Sequence, residues 1–302
     1  MQNVIALIWD FDKTLVNGYM QDPIFEEYGV NPSEFWKEVN AMPEIYAKKG
    51  VRVNPDIAYL LKFIRDAKAG LFKGLNNEKL RTYGAKQKFY PGIPEFFEIT
   101  LNLLKDNKEC KEFNIRVEHY IVSTGFAEVI KGSALASLVE SIWGCELIDS
   151  EDTPEPIINE VAYTIDNTTK TRAIFEINKG VNKKNGQGVN AKMGEGQRRV
   201  AFKNMIYIAD GPSDVPAFSL IKKNGGLTFA IYPRGDINAL NQVEQLRSEG
   251  RVDFFAEADY TEGTTTFNWL VEKIKGIANR IIQEERNKLV VANTGPKHLV
   301  EQ

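Results

Sequence analysis

The chain has 302 residues, of which 43% are hydrophobic and 26% are charged, and its formal net charge is −3. This composition predicts a globular protein with a sizeable core, and the weak charge gives no reason to expect nucleic acid or an acidic membrane as partner. Cys110 and Cys145 lack the spacing of a zinc site or a disulfide framework, and the apolar run at residues 4–9 is too short for a signal peptide or a membrane span. We therefore expect a cytoplasmic protein.

Short apolar runs predict buried strands of a parallel sheet at residues 4–9, 120–122, 205–209 and 227–231. Helical patterns lie between them, at residues 94–104, 213–222 and 236–248. Alternating strands and helices predict a doubly wound, Rossmann-like α/β fold. In such folds, ligands bind at the carboxyl ends of the strands.

The segment 17–90 has helix signals and no strand pattern. Asn31-Pro32 and Asn54-Pro55 each place a proline in the first turn of a helix, and Gly50 and Gly70 follow where those helices end. Weaker helical patterns span residues 23–28 and 77–86. We therefore predict an all-helical domain, residues 17–90, inserted into an α/β core made of residues 1–16 and 91–302.

Three further features complete the core. Residues 145–148 and 161–165 predict a β-hairpin whose turn lies at 153–156, and residues 182–199 form a polar, glycine-rich loop of unassigned role. A long amphipathic helix is predicted from about residue 263 to 290, and the last dozen residues predict a loose tail.

Asp10 and Asp12 follow the first predicted strand. In an extended segment, residues i and i+2 project to the same side, so both carboxylates can face one pocket. A divalent cation would compensate their charge, and hard oxygen ligands favour Mg²⁺. The alternative is a strand end with two solvated acids and Thr14 as a cap.

Polar groups also follow the second strand and begin a later helix. Ser123, Thr124 and Gly125 offer hydroxyl and N–H donors suited to a phosphate oxygen, although such a turn also occurs without a ligand. Lys170 begins a predicted helix, where its charge opposes the helix dipole, and a nearby anion would resolve that conflict. Arg172 and Lys192 are competitors for this role.

The strand at 205–209 delivers Asp210, and Asp214 follows at the start of a helix. Asp214 also fits a simple role as a helix-start residue. Each of these polar groups lies at the carboxyl end of a predicted strand or at the next helix start, so one crevice can collect them.

In this order, the motifs resemble those of the haloacid dehalogenase-like superfamily, most of whose members are phosphatases. The resemblance rests on Asp10-x-Asp12-x-Thr14, Ser123, Lys170 and Asp210-Gly211-x-x-Asp214. It covers roughly residues 1–16 and 91–260, and it implies that the helical insert is a cap domain of the type found in phosphoserine phosphatase-like members.

The resemblance also implies residue roles. Asp10 would attack phosphorus and form an aspartyl-phosphate, and Asp12 would act as general acid and then general base. The Asp10 carboxylate, the Asp12 backbone carbonyl and Asp210 would hold Mg²⁺, with Asp214 and Thr14 in support. Ser123 or Thr124, with Gly125 and Lys170, would bind the phosphoryl group of a small phosphorylated substrate.

Asp12 favours phosphate ester cleavage over dehalogenation, in which departure of a halide needs no general acid. The chain has no predicted membrane span, which disfavours P-type ATPase chemistry. Residues 16–20 contain no acid to bind the ammonium group of phosphoserine, which argues against that substrate. Two other functions stay open: a phosphotransferase or mutase using the same intermediate, and a binding protein without turnover.

Several residues near or within the insert are candidates for contacting the rest of the substrate. Tyr19, Met20, Phe25 and Trp36 fit either an apolar pocket or the packing of the insert. Lys73, Lys86 and Lys88 fit either contacts with a second anionic group or a solvated surface.

Overall fold

The computed structural model describes residues 3–151, 154–181 and 188–293. A sheet of seven strands lies at its centre, in the order β4-β3-β2-β1-β5-β6-β7. The strands are β1 Val4–Trp9, β2 Arg116–Phe126, β3 Ser141–Asp149, β4 Ile158–Tyr163, β5 Met205–Ala209, β6 Leu227–Tyr232 and β7 Phe254–Glu257. All neighbouring pairs are parallel except β3 and β4, which are antiparallel.

Eleven α-helices are assigned within the described residues. Those that lie between β1 and β2 are α1 Asp22–Tyr28, α2 Pro32–Ala47, α3 Ala58–Lys68, α4 Asn77–Thr82, α5 Glu95–Asn102 and α6 Lys108–Glu112. Those that follow β2 are α7 Ala127–Lys131, α8 Lys170–Lys179, α9 Val215–Lys223, α10 Ile237–Ser248 and α11 Thr265–Asn293. No helix of the described residues is long and apolar enough to span a membrane.

Strand β1 is buried along its whole length because both faces of the sheet are covered. Its alternate residues enter two hydrophobic clusters: Ile5, Leu7 and Trp9 pack on one face, and Val4, Ala6 and Ile8 on the other. The first cluster continues into the helical segment through Phe25, Phe35 and Phe63, which are buried. The core of the helical segment is therefore continuous with the core on that face of the sheet.

The register of the central strands brings three strand ends together. Trp9 pairs with Ile121 of β2 and with Ile208 of β5, and the Asp10 amide donates to the Ile208 carbonyl at 2.9 Å. Because these strands are parallel, the residues that follow them emerge at one edge of the sheet.

The predicted α/β fold class is confirmed, and β1 and β5 have their predicted bounds. The two strands of the predicted hairpin pair as β3 and β4, although the turn begins at residue 153, which lies outside the described residues. The predicted tail also lies largely outside them, and the predicted loop is described only from residue 188 onward. The sequence did not predict β7, α6 or α7, which are only four or five residues long.

The helical segment 17–90 leaves and rejoins the sheet at one point. Val16 bridges Phe89, and the Tyr90 amide donates to the Leu15 carbonyl at 2.9 Å. The helices predicted in this segment are present as α1 to α4. Its treatment as a separate domain stays a prediction.

Candidate active site

Asp10 lies directly after β1, with only 6% of its surface exposed. Its Oδ1 accepts a hydrogen bond from Lys170 Nζ at 2.7 Å, and its Oδ2 accepts one from the Thr14 hydroxyl at 3.3 Å. Burial raises the pKa of Asp10 to about 6, even though the nearby Lys170 ammonium lowers it. The carboxylate is therefore held in a defined orientation with little solvent to stabilise its charge.

Lys170 is the first residue of α8, and its side chain is 1% exposed. Its Nζ also donates to Asp214 Oδ1 at 2.7 Å. Burial alone would lower the pKa of Lys170, but the Asp10 and Asp214 carboxylates raise it above its ordinary value. These two anions account for a lysine at a helix N-terminus, where the dipole disfavours a cation.

The two competitors of Lys170 lie elsewhere. Arg172 forms an ion pair with Glu176 on the outer side of α8, at 2.9 Å, and Lys192 is exposed on the polar loop. Lys170 is thus the residue among the three that reaches Asp10.

Asp214 is fully buried, and both of its oxygens are engaged. Oδ1 accepts from Lys170 and from the Tyr207 hydroxyl, the latter at 2.6 Å, and Oδ2 accepts from the Ser213 hydroxyl at 2.9 Å. The carboxylate therefore fixes the position of Lys170, and its lone pairs are less available to a metal than those of Asp210.

Asp210 follows β5 and is half-buried. One oxygen from each of Asp10, Asp210 and Asp214 lies within 4.8 Å of the others. Burial, together with the negative charges of Asp10 and Asp214, raises the pKa of Asp210 to about 7. Three carboxylates and one lysine in this space leave an excess of negative charge. A divalent cation bound there would neutralise it.

Asp12 is half-buried beside this group, and its Oδ1 accepts from the Met20 amide at 2.8 Å. Burial, and then the negative charge of Asp10, raises the pKa of Asp12 well above its ordinary value, although the Met20 amide lowers it. A carboxyl group with a raised pKa can carry a proton near neutral pH, which general acid catalysis requires.

The second predicted motif ends β2 at the same edge of the sheet. Ser123 is 1% exposed, and its Oγ accepts from the Gly125 amide at 3.0 Å, which leaves the hydroxyl proton free to be donated. The Thr124 carbonyl accepts from the Tyr59 hydroxyl at 2.7 Å. A Cβ on Gly125 would come within 2.5 Å of the end of the Met20 side chain, so any larger residue there would require Met20 to move.

Sequence reasoning missed Tyr207, the Met20 amide and Tyr59 as parts of this arrangement. Tyr207 had a usable signal, since it is a hydroxyl-bearing residue inside the apolar strand that delivers Asp210. The Met20 amide had none, because a backbone donor leaves no trace in residue type.

No protein-family model matches the chain. An uncharacterized protein of Borreliella burgdorferi (strain B31) is 39% identical to it over 288 residues, which are 90% of this chain and 97% of that protein. The chain belongs to the same family as this protein.

A solved structure, a HAD-family hydrolase from Salmonella enterica serovar Typhi, superposes with a TM-score of 0.50 at 12% identity, covering 84% of this chain and 67% of that chain. The chain has the haloacid dehalogenase-like fold. A structure of phosphoserine phosphatase in its apo form gives a TM-score of 0.49 at 17% identity, covering 85% and 94% of the two chains. The superposition on the Salmonella hydrolase confirms, at the level of the fold, the haloacid dehalogenase-like resemblance inferred from the four motifs.

Proposed function

We propose that the protein is a metal-dependent phosphomonoesterase that acts on a small phosphorylated metabolite through an aspartyl-phosphate on Asp10. The observation that carries this proposal is the environment of Asp10. Lys170 holds one carboxylate oxygen at 2.7 Å, and a carboxylate oxygen of Asp210 lies within 4.8 Å. A carboxylate nucleophile needs a fixed orientation and a nearby positive charge to approach an anionic ester. Lys170 supplies both, and a metal ion held by Asp10 and Asp210 would add to the positive charge.

In the proposed reaction, an Asp10 oxygen attacks the phosphorus and the bond to the leaving oxygen breaks. Lys170 and the free proton of the Ser123 hydroxyl bind phosphoryl oxygens, with the Gly125 amide orienting the hydroxyl. Asp12 donates its proton to the leaving oxygen. In the second half, Asp12 takes a proton from the water that attacks phosphorus and releases phosphate from Asp10.

The residues that would hold Mg²⁺ are Asp10, Asp210 and the backbone carbonyl of Asp12. Bound there, the ion would supply electrostatic shielding of the phosphoryl charge. Asp214 supports the site through Lys170, because its own oxygens are occupied by Lys170, Tyr207 and Ser213.

We also propose that residues 17–90 act as a cap over this site. Three contacts between the helical segment and the strand-end loops support this. The Tyr59 hydroxyl donates to the Thr124 carbonyl, Asn54 Nδ2 donates to Asp166 Oδ2 at 3.1 Å, and the Asn167 amide donates to Asp56 Oδ2 at 3.2 Å. Asp166 and Asn167 lie just before Lys170, so a cap seated in this way excludes water beside the reacting groups.

The test is hydrolysis of para-nitrophenyl phosphate by the purified chain with Mg²⁺ and with excess chelator. We expect activity that depends on the metal and falls at least about a thousandfold in Asp10→Asn. Asp106→Asn is the matched control, because Asp106 is exposed in the loop before α6, and it should behave as wild type. Activity of Asp10→Asn within tenfold of wild type would show that the nucleophile is wrongly assigned.

A further inference from the structure

Lys13, between Asp12 and Thr14, adopts a left-handed backbone conformation with φ 55°. Among the described residues, Asn114, with φ 52°, is the other non-glycine residue with positive φ. Asparagine tolerates this region because its short polar side chain can bond to the nearby backbone, whereas the long lysine side chain does not compensate the crowding of its Cβ in this way. A lysine kept in this conformation beside the candidate active site indicates that its side chain has a use there.

The Lys13 ammonium has a distinctive environment. Its Nζ lies 4.4 Å from the centre of the Tyr19 ring, and it forms no ion pair with any residue in the described part of the chain. As an ammonium with no carboxylate partner among the described residues, it is available to an added anion.

The loop from Lys13 to Met20 explains why the ammonium lies at the outer edge of the site. The Lys13 amide donates to the Gly18 carbonyl at 3.0 Å, which folds the loop back and places Tyr19 beside Lys13. The Tyr19 ring is 41% exposed and packs on Trp36 with a centroid distance of 5.7 Å. Lys13 thus lies on a supporting aromatic surface open to solvent.

The proposed reaction indicates which part of the substrate Lys13 would contact. In the proposed mechanism Lys170 and Ser123 bind the phosphoryl group from inside, and Asp12 contacts the leaving oxygen. The Lys13 ammonium lies over the ring of Tyr19, and the amide of the next residue, Met20, donates to Asp12 Oδ1 at 2.8 Å, which puts the ammonium on the side of the site where Asp12 meets the leaving group. Of the lysines considered from sequence, Lys86 already pairs with Glu27 at 2.7 Å, and Lys73 and Lys88 are exposed.

We propose, resting on the proposed phosphatase function, that Lys13 binds a second anionic group on the leaving group. The substrate is then a phosphate monoester whose alcohol carries a carboxylate or another phosphate near the ester oxygen. Tyr19 positions Lys13 and offers its exposed ring to the apolar part of the substrate. Lys13 is accordingly a residue that determines specificity.

The experiment compares esters that differ only in charge. One pair is phosphoglycolate and ethyl phosphate, and the other is para-carboxyphenyl phosphate and phenyl phosphate. For each pair the readout is the ratio of kcat/KM for the charged ester to that for the neutral ester. In Lys13→Gly this ratio should fall about tenfold or more in at least one pair, and Lys13→Arg should restore part of it.

Two controls separate this role from a structural one. Lys13→Gly removes the positive-φ strain, so its Tm should be no lower than that of wild type. Asn114→Gly relaxes the same strain in a turn far along the chain from the site, and it should leave both ratios unchanged.

An unchanged ratio in both pairs, or an equal loss for charged and neutral esters, would overturn the assignment of Lys13. An equal loss would indicate that the ammonium only offsets the charges of Asp12 and Asp210. If wild type hydrolysed none of the four esters, the proposed function itself would fail, and the assignment would fail with it. That result differs visibly from an active enzyme with unchanged ratios.

Discussion

Lys170 Nζ lies 2.7 Å from Oδ1 of Asp10 and 2.7 Å from Oδ1 of Asp214, so one buried ammonium joins two buried carboxylates. Both acids lie at the carboxyl edge of the sheet, and α8 brings the lysine to them. Such an arrangement stabilises the protein only while its members are all present, because an uncompensated buried charge is costly.

Lys170→Met leaves Asp10 and Asp214 buried without their cation. We expect kcat/KM for an aryl phosphate to fall at least about a hundredfold and the free energy of unfolding to fall by about 3–5 kcal/mol at neutral pH. Lys170 lowers the pKa of Asp10, so Asp10 in the variant becomes protonated at a higher pH than in wild type, and the destabilisation should shrink as pH falls toward about 6. Arg172→Met removes an exposed ion pair on the same helix and should cost under about 0.5 kcal/mol. Equal effects of the two substitutions in chemical denaturation would contradict the arrangement.

Tyr207→Phe removes the hydroxyl that donates to Asp214 at 2.6 Å. We expect a loss of about 1–3 kcal/mol in stability and a severalfold decrease in kcat, because Lys170 is then less firmly positioned. Tyr83→Phe is the matched control, since the Tyr83 hydroxyl is buried without a hydrogen-bond partner among the described residues. Denaturant titrations in which Tyr83→Phe cost as much as Tyr207→Phe would argue against a role for this hydrogen bond.

Metal binding should become more favourable with rising pH. The pKa values of Asp10 and Asp210 are raised to about 6 and about 7, so metal-free folded protein holds protons that the unfolded chain releases near pH 4. The stability that these protons provide is present at low pH and lost as pH rises through about 7. Since Mg²⁺ binds the ionised carboxylates, the increase in Tm caused by Mg²⁺ should grow over this range. Asp210→Asn should abolish most of that increase, and a pH-independent increase would contradict the site.

His119 of β2 is completely buried next to the strand that delivers Asp10. Its Nδ1 accepts from the Trp9 indole at 3.0 Å, so the neutral ring must carry its proton on Nε2, which lies 2.9 Å from the Thr100 hydroxyl. Burial lowers the pKa of His119 to about 3 from its ordinary 6.5.

This histidine should make the fold sensitive to acid. The unfolded chain takes up a proton below about pH 6.5 and the folded protein does not, so stability falls between about pH 6.5 and pH 3, by up to about 5 kcal/mol. His119→Gln keeps an acceptor for the indole and should flatten this dependence in urea titrations. With two histidines in the chain, imidazole NMR can identify the tautomer of His119, and a proton on Nδ1 would contradict the geometry.

The sequence predicted those strands whose residues form a continuous apolar run that stops at a charged residue. The continuous apolar runs of β1 and β5 stop at acids, and their predicted bounds match the structure. Strand β7, with four residues, is too short for a periodic signal, and α7 is a single turn that continues β2.

The sequence predicted the site residues that are charged and lie at the end of an apolar strand or the start of a helix, namely Asp10, Lys170 and Asp210. The partners that orient these groups were not predictable, because they come from distant positions or from the backbone. The Tyr59 hydroxyl reaches a carbonyl 65 residues away, and the Met20 amide reaches Asp12 through a folded loop. Lys13 escaped notice since its backbone strain has no signature in sequence.

The most direct test of the account is to identify the phosphorylated residue during turnover. The enzyme would be mixed with excess aryl phosphate and Mg²⁺, quenched in acid within the first turnovers, digested, and analysed by mass spectrometry. We expect a phosphoryl group on Asp10 that is released by hydroxylamine and is absent in Asp10→Asn. Steady turnover by wild type with no phosphorylated Asp10, or with the phosphoryl group on another residue, would contradict it.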